Sequence, residues 1–312
     1  MDQPLNMQDL RLLFQWLKGS AVMFDDHDVE IAKREREDQI ELALAHPYLM
    51  HTILSLAALE MYHNKPTNTA YFTQATSHNV AALRHARPCI SQLEDEHSEA
   101  LYLFSCFTSL YAFAEPPLRI QSSISLSETD SIRDLLHSFR MGRGILAVKA
   151  SNESHLEKDR ITDKDKSKLQ WPNEIDENSS VLQAQYPQLL QLQVLVTRDF
   201  QGAHASTLHD ALIRLFASMA VLQRKSKNHS SASLIQIWPM HVDQGLFDMW
   251  DSDEPIALVL LAYYAVMVDM RSNIWFFQRW PKLILDSVET RLDQKWHEYI
   301  MWPRTIIHKL EG

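Results

Sequence analysis

Glycine is scarce in this chain, with 6 among 312 residues, against a usual share of roughly 7%. Sheet proteins use glycine at hairpins and bulges, so this scarcity argues for helices joined by proline and polar turns. Cysteine is nearly absent. The 2 cysteines, Cys89 and Cys106, exclude a disulfide framework and a zinc cluster, and each reads as a small buried hydrophobe. No membrane-length apolar run occurs: the longest, Pro255 to Met267, falls short of the roughly 20 residues that span a bilayer. The opening Met1-Asp2-Gln3-Pro4 is not a secretory signal, and the expected compartment is intracellular, nuclear and/or cytoplasmic. Basic stripes are also lacking. The net charge is -10, which disfavours direct contact with phosphate backbones. The one dense basic cluster, Arg224-Lys225-Ser226-Lys227, reads as a solvated loop.

Apolar residues make up 46% of the chain, enough for a sizeable core. Their spacing predicts helices over Leu10–Phe24, Val29–Leu44, Tyr48–Met61, Thr67–Ala86, Ser98–Ala114 and Ser127–Val148. Pro88 is expected to close the fourth, and Pro116-Pro117 to stop the fifth. Tyr48–Met61, Ser98–Ala114 and Ile256–Met270 are apolar on every side, the mark of central helices. Residues 150–180 are charged and poor in apolar side chains, which reads as a flexible linker inside one domain. It separates an N-terminal helical half, 1–149, from a C-terminal half, 181–312, expected to pack together. In the latter, helices are expected at Val181–Thr197, Ala205–Gln223, Val242–Trp250, Ile256–Met270, Trp275–Leu292 and Trp296–Met301, with Trp238-Pro239 in a loop. The expected fold is all-α, a compact bundle around two or three central apolar helices.

Three blocks go beyond generic helical text: HPYLMHTILSLAALEMYH, ALYLFSCFTSLYAFAEP and EPIALVLLAYYAVMVDMRSNIWFFQRWPKLI. In order and spacing they resemble the C-terminal regulatory domain of fungal zinc-cluster transcription factors, particularly the sterol-uptake-control type. The likeness runs from about Leu10 to Trp302 and is weakest over 120–200. It implies an all-α effector domain with a hydrophobic cavity, sensing a small apolar molecule such as a sterol and acting through self-association as a dimer or through transcription partners. The six-cysteine DNA-binding cluster of such factors is not in this sequence, which is expected to be a fragment of a longer factor or a protein working without that module. By the resemblance, Leu54, Phe104, Phe107, Tyr111, Tyr264 and Met267 line the ligand cavity, with the two tyrosines as partners for a sterol hydroxyl. The same six residues also suit an ordinary core.

Glu60, Glu115 and Asp269 stand in apolar text. A buried carboxylate needs a partner, and the simpler expectation is that each lies near a helix end and reaches solvent. The alternative is an enzyme, a biosynthetic terpene cyclase of non-canonical type. There the three carboxylates would hold Mg²⁺ and Arg271 would grip an isoprenyl diphosphate. Asp25-Asp26-His27-Asp28 echoes an aspartate-rich cyclase motif, but no matching second metal motif follows, and it serves equally as a helix N-cap. No cofactor is expected on the regulatory reading. Among 15 histidines, His78 and His85 are seven apart with no third ligand at close spacing, and His46 and His51 flank one helical turn. HExxH, GxSxG and glycine-rich phosphate loops are all missing.

Overall fold

The computed structural model describes residues 6–18, 29–91, 98–121, 130–156, 171–172, 175–224 and 233–308. In chain order these form α1 (Met7–Lys18), α2 (Val29–Ala45), α3 (Pro47–Asn64), α4 (Thr69–Ser91), α5 (Ser98–Gln121) and α6 (Ser131–Leu156). Then follow α7 (Ser179–Gln185), α8 (Pro187–Asp199), α9 (Gly202–Arg224), α10 (Ser233–Met240) and α11 (Gln244–Asp251). The chain continues with α12 (Pro255–Asp269), α13 (Trp280–Arg291), a 3₁₀ turn (Gln294–Ile300) and α14 (Met301–His308). No strand occurs among the described residues, and the fold is all-α. Asp25-Asp26-His27-Asp28 and Lys225–Lys227 lie outside the described residues.

The chain divides into two units. The first holds α1–α5 and α6 from His137 onward; the second holds Asp130–Leu136 and everything from Trp171. In the first, α3 is the central element, flanked by α1, α4 and α5. Its positions from Thr52 to Glu60 are all buried, as the all-round apolar text requires. In the second, α12 has that role, with Ile256 through Val268 buried against α9, α13 and α14. α9 is long and apolar enough to cross a membrane by length and composition alone. Its Leu208, Leu212, Leu215, Phe216 and Met219 are buried in the unit, as in a core helix.

Proline explains most departures from the expected boundaries. α5 runs through Pro116 and Pro117 to Gln121. Each proline removes an N–H from the ladder. Burial of both prolines and Leu118, with the Glu115–Arg119 pair bridging the break at 3.1 Å, offsets that loss. α4 likewise passes Pro88. The stretch expected as one helix over 181–197 breaks at Tyr186, because Pro187 starts α8 at its first turn. Trp238-Pro239 lies in α10 rather than a loop; a last-turn proline is tolerated when its neighbours are buried. α13 begins at Trp280, not Trp275. The last helix extends past Pro303 to His308.

The span expected as a linker is partly built into the fold. Residues 150–156 continue α6. Trp171 donates its indole N–H to Glu177 at 2.6 Å and lies beneath the Arg214 guanidinium, 5.2 Å from the ring centre. Asn178 caps α7 by accepting from the Ser180 N–H.

Candidate functional site

α5 presents Phe104, Phe107 and Tyr111 at i, i+3 and i+7, one face of a helix. All three are buried, as is Leu54 on α3, and the two helices pack on one another. Tyr48 meets Phe104 edge-on at 5.5 Å. From α1, Trp16 meets Phe107 edge-on at 5.2 Å. Phe104 and Phe107 therefore form an aromatic layer with Tyr48 and Trp16 in the first unit, Tyr111 shares their face of α5, and Leu54 is buried on the neighbouring α3. Burial pushes the Tyr111 hydroxyl well above the ordinary tyrosine range, the Glu115 carboxylate adds to this, and a hydrogen bond with Thr76 opposes it. Tyr264 and Met267 are in the second unit and fully buried. Tyr264 stacks on Trp238 at 5.3 Å and donates its hydroxyl to the Ile235 carbonyl at 3.1 Å.

Polar atoms on α1 and α5 are buried yet have no hydrogen-bond partner: the Trp16 indole nitrogen, against Phe107, and the Thr108 and Ser109 hydroxyls. An unpaired buried donor costs about 1–3 kcal/mol, so such a group is a place where a ligand atom gains most. Composition and periodicity do not reveal it, because Trp16 reads as ordinary core until its nitrogen is placed.

Glu60 is 4% exposed and accepts from the Gln15 side chain at 3.2 Å. The simpler expectation, a helix-end carboxylate reaching solvent, is therefore corrected for Glu60: it stands in the last turns of α3 but is held inward. Glu115, half-buried, is paired with Arg119. Asp269 ends α12 and is partly exposed. Glu60 and Glu115 belong to the first unit and Asp269 to the second. Arg271 is 2% exposed, donating to the Met270 carbonyl at 2.9 Å and the Leu222 carbonyl at 3.1 Å. A cation at the C-terminal ends of α9 and α12 suits both helix dipoles. Among the described residues, no three His, Cys, Asp or Glu side chains gather as a metal site.

A polar cluster that spacing along the chain concealed lies where α1, α3 and α4 meet. The Nδ1 atoms of His51 and His78 are 3.0 Å apart. His78 Nε2 stands 3.3 Å from the Asp9 carboxylate, and His85 stacks on His51 at 5.5 Å. With Nε2–H donated to Asp9, the neutral His78 accepts at Nδ1, so His51 donates there. Burial lowers the His51 pKa, His78 and His85 lower it further, and Asp9 opposes them. Burial also lowers that of His78, again against Asp9. The missing third member was thus His51, on the neighbouring helix. Counting outward from the Asn64-Lys65-Pro66 turn, which pairs Tyr62 with Phe72, brings His51 level with the His78–His85 stretch.

Two depressions mark the surface of the described residues. One, about 110 Å³, is lined by Gln8, Arg11, Asn68, Ala70, Tyr71 and Gln74. The other, an open groove of about 440 Å³, is lined by Gln183, Leu190, Gln193, Val194, Thr197 and Arg198. Neither includes a residue expected to line the ligand cavity. In comparison with known proteins, the chain matches no family model and no curated protein.

Proposed function

We propose that the chain is a non-catalytic regulatory domain of the fungal zinc-cluster type that senses a hydrophobic small molecule such as a sterol and acts on transcription through self-association or partners. The three blocks that carry the resemblance fall on α3, α5 and α12–α13, and α3 and α12 are the buried centres of their units. The observation that carries the ligand reading is the Trp16 indole N–H, buried without a partner against Phe107, on the α5 face that also carries Phe104 and Tyr111. A sterol offers what that face needs: a broad apolar body and a single hydroxyl able to accept from Trp16. Tyr264 and Met267 serve the second unit's core in this reading, since the Tyr264 hydroxyl is already bonded to a carbonyl. DNA recognition is supplied by another module or partner, in keeping with the net charge of -10.

The test is equilibrium binding of a fluorescent sterol to the purified chain. Saturable binding is expected, weakened about tenfold by Trp16→Phe, which removes one hydrogen bond worth roughly 1–1.5 kcal/mol. Met267→Leu should leave it unchanged. No saturable binding would sink the sterol assignment. Turnover of farnesyl diphosphate with Mg²⁺, lost in Asp269→Asn, would replace the regulator with an enzyme.

A further inference from the structure

α1 is apolar on two faces. One, carrying Leu12 and Trp16, is buried. The other carries Met7, Leu10, Phe14 and Leu17, which are 58%, 44%, 58% and 37% exposed. Their spacing of three, four and three residues is the a/d repeat of a coiled-coil seam, continuous over about three helical turns. Arg11 and Lys18, each following a seam leucine, are seven residues apart and exposed on the same edge; the Lys18 ammonium also sits 4.3 Å from the Phe14 ring centre. The one acidic residue of α1, Asp9, is turned to His78. The outward surface is therefore an apolar seam with a cationic edge on a chain whose net charge is -10.

We propose that this face of α1 docks an amphipathic helix of a partner protein, one whose apolar seam is flanked by Glu or Asp. Charge decides between occupants. In a second copy of this chain paired antiparallel through the seam, Arg11 and Lys18 would face the same two cations, with no α1 carboxylate free to meet them. A bilayer surface needs an apolar face wider than this narrow seam. An acidic helix satisfies both seam and edge. A seam this short buries less than the roughly 800 Å² per partner of a stable interface, so the contact is a transient one. The proposal is independent of the sterol reading, because the seam lies on the opposite face of α1 from Trp16.

The probe is a synthetic helical peptide with leucines at seam spacing and glutamates on its edges, followed by fluorescence anisotropy against the full chain. Its counterpart carries lysines on the edges. The glutamate peptide should bind in the micromolar range, and at least about tenfold more tightly than the lysine peptide at low salt, the preference fading as salt screens the edge. Leu10→Ser with Phe14→Ser should abolish binding, while Arg11→Glu with Lys18→Glu should reverse the peptide preference; circular dichroism melts establish that both variants fold. Equal binding of both peptides, or binding indifferent to the serine pair, overturns the proposal. So does a concentration-dependent dimer in sedimentation, or flotation with phosphatidylserine-containing vesicles, that the serine pair removes.

Discussion

The core of the second unit and the attachment of α1 in the first are tied by different kinds of hydrogen bond. In the second, four large buried donors end on main-chain carbonyls: Trp238 on Ala211 at 3.1 Å, Trp250 on Ala257 at 2.9 Å, Tyr264 on Ile235 at 3.1 Å and Arg271 on Leu222 at 3.1 Å. In the first, the bonds that tie α1 to its neighbours join side chain to side chain: Gln15 to Glu60, Gln74 to Gln8, and Asp9 to His78. Indole, phenol and guanidinium donors keep their protons across the physiological range, whereas imidazoles do not. The buried donors of the second unit thus hold their bonds across the physiological range. The first has a joint at α1 that responds to pH.

The largest effect should come from breaking the second unit's core. Trp250 is fully buried, edge-on to Phe247 at 5.1 Å, so Trp250→Ala is expected to cost about 3–5 kcal/mol, measured by urea unfolding. Next is Arg271→Met, which fills the space but leaves the helix-end carbonyls of Leu222 and Met270 without their donor. About 2–3 kcal/mol should be lost, and lysine, lacking the forked donors, should rescue only part of it.

A smaller effect separates the units by pH. The folded pKa values of His51 and His78 lie below the ordinary histidine value, so as pH falls through about 6.5 the unfolded chain takes up protons first. The stability they confer is complete above that range and declines on acidification. Melts at pH 7.5 and 5.5 should show a lower midpoint at the acid end, flattened by His51→Gln with His78→Gln. An unchanged acid decline in that variant would remove the imidazoles as its source.

The smallest effect belongs to Asp130. Burial alone would raise its pKa, but the Arg133 N–H and the Arg291 guanidinium lower it overall. Its contribution is present above the ordinary aspartate range and is lost as pH falls through the depressed value. Asp130→Asn keeps the hydrogen bond from the Arg133 N–H at the start of α6 and loses the charge facing Arg291 and Arg133, about 0.5–1 kcal/mol at neutral pH. The difference should shrink as pH falls through that depressed value.

Helix text apolar on every side was legible because a helix with no polar face has only one place to go; α3 and α12 needed nothing beyond composition. Pro255, at the first turn of α12, also acted as local chemistry predicts, and Pro187 follows the same rule at the first turn of α8 although the expected helix ran through it. Pro116-Pro117 did not, because the burial that offsets the lost bonds is a tertiary gain. Trp171 was obscured by its charged surroundings: the cation that covers it, Arg214, comes from a helix more than forty residues later in the chain. Of the six candidate cavity residues, burial was readable for all, but not their division between units. Nor could spacing disclose that the Trp16 nitrogen would be left unpaired.

The contact between His51 and His78 counts protons. At 3.0 Å between ring nitrogens, one added proton is shared along the line His51–His78–Asp9, with the carboxylate as its counter-ion. A second proton would leave two N–H groups pointing at each other, and the contact must open. The pair therefore titrates in two macroscopic steps that belong to neither residue alone: the first is absorbed in place, and the second separates the two rings.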